Sequence, residues 1–412
     1  MTKAEKIKNT LQKTKERRKT LKPVVFQLKL QNLSRKKAET LKRAFLEAKW
    51  LYNWLVFDLK RLNLPANKVD TVEVKVGDVF EERQLAVLSS QVKQEIADRL
   101  KDNLRALSAL KKNGHKVGHL KPKRFINSIP LKQYNVTYSL DFARNRVKIQ
   151  KLGSFRVLGL HQILPDVEIG SAVLVRKPSG YYLHVTCYLP REYFCYPYKL
   201  REAVAGDFGI ETKITLSNGI KIDFEIHETP RLKRLQRKLA RTKKGSRNRE
   251  KIRLLLRREY EKLNNRRKDA QNKVLAFLRL YEKVVFQDDN IKSWEALFGR
   301  QVHSSGIGGM KARLRNSLET PILVGRFEPT SQECYACGKR HELSLLDRVI
   351  RCRCGWVYDR DFNASLVILR KGLGLSPDQA VGLDRPELKP LEKEAAARIL
   401  GSNPYIRVSF LQ

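Results

Sequence analysis

The sequence predicts a multidomain α/β protein in which a twisted antiparallel barrel or sheet, split by a helical insert, precedes a mixed domain interrupted by a small cysteine-rich module. Three observations predict it. Apolar residues recur at strand spacing, then at helical spacing, then at strand spacing again. Two cysteine pairs fall within residues 334–354, while Cys187 and Cys195 stand apart. At 412 residues the chain is too long for one ordinary core, and 42% hydrophobic residues suffice for two or three.

Charge narrows the partners. Lys and Arg number 84 against 43 Asp and Glu, a formal net charge of +41, which is far beyond the needs of solubility and implies a polyanion. No run approaches the about 18 consecutive apolar residues of a spanning helix, and the amino terminus has no apolar signal core. Nucleic acid is therefore favoured over a membrane. Six cysteines are too few for a disulfide scaffold in a chain this size, which points to a reducing cytoplasm and a metal.

In chain order, residues 1–22 form a basic segment, part of it read as disordered tail. PVVFQLKLQNL, residues 23–33, alternates like a strand. A helical domain over 34–120 follows, with Ser34 and Ser90 as caps and stripes through Leu41, Phe45 and Leu51, then Val92, Ile96 and Leu100. From 121 to 200 the period is two again, with turns at Asn145 and at Pro178-Ser179-Gly180, and the opening HLKPKRF carries cations suited to a phosphate backbone. Two short strands around Ser217-Asn218-Gly219 come next, with Asp207 inside the first. A helical hairpin follows from 230, its remaining positions mostly Arg or Lys, so that one face packs and the other meets phosphate or solvent. A short buried strand through Val284 and Val285 ends in Gln287-Asp288-Asp289. Asp359-Arg360-Asp361 then opens an apolar helix, and residues 373–412 read as a loosely ordered tail.

Two constellations carry chemistry. Cys334-x-x-Cys337 and Cys352-x-Cys354 are two thiolate pairs able to close a four-sulfur tetrahedron, which leaves no open position, so a zinc ion there is structural. Asp207 on a buried strand and Asp361 at the start of an apolar helix are carboxylates that are costly unless they meet a cation. Carboxylates converging from distant segments suit magnesium, which takes oxygen ligands.

GDFGI, VVFQDDNIKSW, FEPTSQECYACG and CRCGWVYDRDFNASLVIL, in that order, resemble the TnpB proteins of insertion sequences and their relatives, the miniature type V CRISPR effectors. The resemblance implies a RuvC-like nuclease domain of ribonuclease H fold over 201–329 and 357–372, with the zinc ribbon at 330–356 inserted. It implies a wedge barrel over 23–33 and 121–200 with a helical recognition domain over 34–120. The implied work is RNA-guided: a guide RNA is held, target DNA is cut beside a short motif by two-metal hydrolysis with magnesium, and the setting is a prokaryotic cytoplasm at the nucleoid. The family's catalytic acids match Asp207 and Asp361. The middle acid, usually Glu-Asp-Leu-Asn, reads Gln287-Asp288-Asp289-Asn290 here. Residues 287 and 289 of a strand share a face, so Asp289 is the expected replacement, with Glu295 a further candidate and Asp288 turned away. The rival expectation is a guided DNA-binding repressor with no cutting activity. A transposase acting by strand transfer and a plain RNA-binding protein fit less well, since no tyrosine with paired histidines is evident and neither Asp207 nor Asp361 would be needed.

Overall fold

The segments that alternate apolar and polar residues become strands, and these sort into two large sheets with no strand in common. A computed structural model describes residues 2–194, 198–318, 321–344, 347–381 and 387–411; Cys195 lies outside them. The chain divides into two units, residues 1–195 and 196–412.

In the first unit, α1 (Lys3–Thr20) runs directly into β1 (Leu21–Gln31). The basic start, expected to be partly disordered, is helical. Thr2 and Glu5 form a capping box at one end, and at the other Arg17 and Arg18 pair with Glu168 at 2.7 and 2.6 Å. The insert consists of α2 (Arg35–Phe57), a hairpin of β2 (Thr71–Val76) and β3 (Val79–Gln84), and α3 (Ser90–Lys112). Ser34 caps α2 as expected, but the cap of α3 is Ser89, not Ser90: the Ser89 hydroxyl accepts from the Val92 N–H at 3.4 Å. Then come β4 (Ser128–Leu131), β5 (Tyr138–Asp141), β6 (Arg146–Ile149), β7 (Gly153–Leu158), β8 (Glu168–Lys177) and β9 (Gly180–Pro190).

These strands and β1 make one antiparallel sheet in the order β4-β8-β9-β1-β7-β6-β5. It curls into a nearly closed barrel, across which the Tyr138 hydroxyl on β5 donates to the Gly170 carbonyl of β8 at 2.8 Å. The helical insert has no core of its own: Leu41, Phe45, Leu51 and Ile96 pack in one continuous cluster with Leu28, Phe155, Leu174 and Val185 of the sheet. The buried carboxylate of Glu47 on α2 helps lock the insert, accepting backbone N–H groups from Ala86, Val87 and Leu88 at 3.1, 2.9 and 3.2 Å.

The second unit opens with β10 (Arg201–Phe208), β11 (Ile214–Leu216) and β12 (Ile220–Phe224), an antiparallel meander. The helices α4 (Pro230–Arg241) and α5 (Arg247–Leu278) lead to β13 (Tyr281–Gln287). After α6 (Ile291–Ser305) and α7 (Ile307–Ser317) comes β14 (Pro321–Val324). Strands β13 and β14 join β10 in parallel, extending the sheet on the side away from β11. A small hairpin of β15 (Val349–Arg351) and β16 (Val357–Asp359) precedes α8 (Arg360–Gly372), which packs on β10 and β13. Gly372 allows that packing, since a Cβ there would collide with Val285.

The expected loose tail is instead part of this unit. Beyond α9 (Pro377–Val381), α10 (Pro390–Ile399) places Ala395 and Ala396 in the main apolar cluster, and β17 (Ile406–Phe410) pairs with β12 as the outer strand. The fully buried Glu392 fastens α10 to the sheet. Arg201 donates to it at 2.8 and 3.1 Å, and the Asn218 amide at 3.1 Å. No helix among the described residues is long and apolar enough to cross a membrane.

Removing Glu392 would leave the Arg201 guanidinium facing a void, and breaking a buried ion pair from one side costs about 3–5 kcal/mol. Glu392→Ala is therefore expected to lower stability in urea unfolding by about 3 kcal/mol. A loss well under about 1 kcal/mol would mean that the last 26 residues, numbers 387–412, contribute little to this unit.

Candidate active site and cysteine centre

Strands β10, β13 and β14 run in parallel, so their carboxyl ends form one edge, where open α/β sheets commonly build their sites. Asp207 is the penultimate residue of β10, and Gln287 ends β13. The Asp207 side chain stays partly open to solvent, yet its pKa lies well above the usual carboxylate range. Burial is the first cause, and the negative charges of Asp361 and Asp289 add to it; Lys311 and Arg360 oppose them.

Asp361 reaches this edge from the first turn of α8. The two acids of Asp359-Arg360-Asp361 have separate jobs. Asp359 caps α8 by accepting the Phe362 N–H at 3.0 Å and takes the Lys221 ammonium at 2.9 Å. Asp361 has no hydrogen-bond or ion-pair partner among the described residues, and neither has Asp207. Burial raises the Asp361 pKa, followed by the charge of Asp359, against the pull of Lys221, Arg348 and Arg360.

Gln287 lies beside Asp207 in the ladder, since Gly206 pairs with Phe286 one residue earlier, but its buried amide turns into the loop after β14. Its Nε2 donates to the carbonyls of Gly325 at 3.0 Å, Arg326 at 3.4 Å and Glu328 at 2.7 Å, while Thr330 donates to its Oε1 at 2.8 Å. A carboxylate there would face three carbonyl oxygens with nothing to donate. Asp288 turns toward Arg326 and Arg315, at 3.3 and 3.7 Å. Asp289 takes the Lys311 ammonium at 2.6 Å, but β13 ends at Gln287, so the strand alternation expected to put 289 on the face of 287 does not reach it. Glu295 is exposed on α6, and Glu328 is exposed on its loop, paired with Lys371 at 2.5 Å.

Lys311 escaped the sequence reading. Its Nζ donates to the Gln287 carbonyl at 2.6 Å as well as to Asp289, and lies over the Phe208 ring at 5.1 Å. Burial pushes its pKa down, while Asp289, Asp288 and Asp207 pull it back. The available signal was a lysine inside the apolar stripe Ile307, Met310, Lys311 and Leu314 of α7.

The cysteine module closes as its spacing predicts. Ligand atoms of Cys334, Cys337, Cys352 and Cys354 all lie within 4.8 Å of one another. The pairs Cys334–Cys354 and Cys337–Cys352 are 3.7 and 3.5 Å apart, close to the about 3.8 Å edge of a tetrahedron with about 2.3 Å zinc–sulfur bonds. The short second turn is closed by the Gly355 N–H donating to the Cys352 carbonyl at 3.1 Å, with Gly355 at φ +90°. Asn363, two residues past Asp361, ties both turns to α8. Its amide accepts from the Tyr335 N–H and the Trp356 indole, each at 3.0 Å, and donates to the Glu333 carbonyl at 2.7 Å. Buried Arg370 holds the same turn from below through the Cys334 and Tyr335 carbonyls and Glu333.

Fold and site thus define a mixed α/β protein with a carboxylate cluster at the end of a parallel sheet and a four-cysteine module locked to its last helix. Residues 196–286 match the family OrfB_IS605, described as a probable transposase, and residues 311–368 match the Cas12f1-like TNB domain. A Streptomyces pristinaespiralis protein named as a candidate RNA-guided DNA endonuclease is 34% identical over 187 residues, 42% of this chain and 46% of that relative, so the match spans about half the relative's length. A Cas12f1–sgRNA–target DNA complex solved by cryo-EM aligns over 81% of this chain and 83% of that one, at 13% identity and a TM-score of 0.45.

A carboxyl pKa raised on folding means that the folded chain holds its proton more tightly than the unfolded one. Stability is then lost as pH rises from the unfolded value, about 4, toward the raised one. Asp207→Asn removes that loss. In metal-free buffer this variant is expected to melt above the parent, by a margin that widens from about pH 5 to about pH 8. An Asn variant no more stable than the parent at the higher pH would contradict the crowded-carboxylate picture.

Proposed function

We propose that this chain is an RNA-guided DNA endonuclease that holds a guide RNA and hydrolyses a phosphodiester of DNA paired to it. The observation that carries the reading is that Asp207 near the carboxyl end of β10 and Asp361 in the first turn of α8, which packs on β10, both lack a protein partner among the described residues, and that the charges of Asp361 and Asp289 are felt at Asp207. The three carboxylates are not drawn together as the cysteines are, so an ion would have to close them. The strand order, an antiparallel trio with two parallel strands added beyond β10, supports a RuvC-like domain of ribonuclease H fold. The net charge of +41 supports long polyanionic partners, guide RNA and target DNA. The curled sheet with its helical insert would serve as wedge and recognition parts, in a prokaryotic cell at the nucleoid.

Asp207, Asp289 and Asp361 are the residues that would hold magnesium, which when bound supplies an activated water and offsets charge on the leaving oxygen. The chain's own residues prepare that place. Asp359, used up as helix cap and ion-pair partner, leaves Asp361 free, and Lys311 orients Asp289 by a 2.6 Å contact while adding positive charge where phosphate oxygens would lie. Cys334, Cys337, Cys352 and Cys354 would bind zinc with every position filled, a brace for α8 and not a reaction centre. The second reading, a guided DNA-binding protein that does not cut, is favoured by one observation: Gln287 occupies the usual acid's position and its amide is fully engaged.

Cleavage of guide-matched DNA with magnesium tests these readings. The parent is expected to cut. Asp207→Ala, Asp289→Ala and Asp361→Ala should each lose more than the about 10- to 100-fold typical of residues outside a metal's ligand set, while Asp288→Ala and Glu295→Ala stay near the parent. If Asp289→Ala cuts normally and Glu328→Ala does not, the third acid stands on the loop that Gln287 pins. An inert parent rescued by Gln287→Glu would establish the non-cutting reading. Separately, metal analysis should find one zinc per chain, lost in Cys337→Ser; parent protein without zinc would refute the zinc assignment.

A further inference from the structure

The helical hairpin of α4 and α5 concentrates charge. Residues 230–269 hold 18 Lys and Arg against 4 acids, a net +14 within a chain of +41. Leu232 and Leu263 pack with Ile226 and Leu256, while Leu254 and Leu255 stay exposed. Tyr260 behaves differently. It is 41% exposed, yet its position is fixed: its hydroxyl accepts from Gln236 Nε2 at 2.8 Å, bridging α5 to α4, and Gln236 is itself held by Glu228 at 3.3 Å. The result is an aromatic face braced at its edge and open to solvent.

Helical spacing places Arg253, Arg257, Asn264 and Arg267 on the same side of α5 as Tyr260. These positions span 14 residues of helix, roughly 21 Å at about 1.5 Å per residue. Arg253 is occupied by Glu250 at 2.5 Å. Arg257 is exposed, and neither it nor the half-buried Arg267 has an acidic partner among the described residues. The Arg267 Nε is buried, and its Nη1 donates to Asn264 Oδ1 at 3.4 Å, which leaves the rest of that guanidinium and the Asn264 amide nitrogen for a ligand. A fixed ring between unneutralised guanidiniums, with an exposed amide one turn on, matches one nucleotide unit and its neighbours: the ring stacks the base, the cations take flanking phosphates, and Asn264 can reach a base edge.

We infer that Tyr260 is a stacking platform for an unpaired base of RNA, with Arg257 and Arg267 holding the adjoining backbone. The inference rests on the guided reading above and deepens it by naming where the RNA is gripped. A duplex offers only base edges and phosphates to such a surface. A folded guide RNA offers splayed bases in loops and bulges before any DNA arrives, whereas target DNA offers unpaired bases only in the strand that the guide displaces, which the DNA probe below tests.

The test uses the full chain stripped of nucleic acid and rebound to the RNA recovered from the parent preparation, with DNA of the same sequence as the second probe. Tyr260→Ala should weaken RNA binding about tenfold without changing the slope of affinity against salt, because stacking releases no counterions. Tyr260→Phe, which keeps the ring, should stay within about twofold of the parent. Arg257→Gln should flatten the salt slope by about 0.7 to 0.9. Thermal melts establish that each variant is folded. The inference is overturned if folded Tyr260→Ala binds RNA as tightly as the parent, if the Phe variant loses as much as the Ala variant, or if the Ala variant loses as much on DNA as on RNA. A parent preparation that carries no defined RNA would instead refute the guided reading itself, and this inference with it.

Discussion

Thirteen residues of α8 lie flush against β10 and β13, and most of the chemistry proposed here hangs from that contact. Ile368 packs with Ala205, Val285 and Val324, while Gly372 lets the far end of the helix reach the sheet. The helix presents Asp359 as its own cap, Asp361 toward Asp207, Asn363 to both cysteine turns and Arg370 to the turn around Cys334. A shift of one element would therefore disturb the carboxylate pair and the cysteine module together. Such rigidity is what a site for hard cations requires, because magnesium tolerates little departure from its preferred geometry.

Against that frame stands a like-charge cluster that stability alone would not favour. Asp207 is held where burial and two neighbouring carboxylates oppose its ionisation, and Asp361 is also raised. Lys311 is the counterweight the protein itself supplies, anchored by the Gln287 carbonyl and Asp289. Arg360 adds a second positive charge felt at both Asp207 and Asp361, and these two cations against Asp207, Asp289 and Asp361 still leave an excess of acids, which suits a divalent cation arriving from solvent. Gln287 fits this division of labour: its amide has become a clamp on the loop that follows β14, and the negative charge near it resides on Asp289.

The legible parts of the sequence were those where spacing dictates geometry. Two cysteine pairs can approach only by closing a cluster, and an acid on a buried strand or at the head of an apolar helix demands a reason. Alternation marked β1, β8 and β9, and Ser34 marked the start of α2. Other features depended on contacts that no local pattern announces. The hairpin β2–β3 is short and charged, so its alternation was hidden among Glu, Lys and Arg. α10 and β17 looked like tail because their hold on the unit runs through Glu392 to Arg201 and Asn218, residues nearly two hundred positions away. α1 looked disordered because its anchor, Glu168, is equally remote. Lys311 and Asn363 were missed for the same reason, since a buried Lys or Asn acquires meaning only from the groups around it.

Diffraction from crystals grown with manganese, read at its anomalous edge, tests the central claim most directly. The account predicts an ion about 2.1 Å from carboxylate oxygens of Asp207 and Asp361, with an Asp289 oxygen as a further ligand. An anomalous map with no ion between Asp207 and Asp361, or with an ion there that Asp289 does not touch, would contradict it.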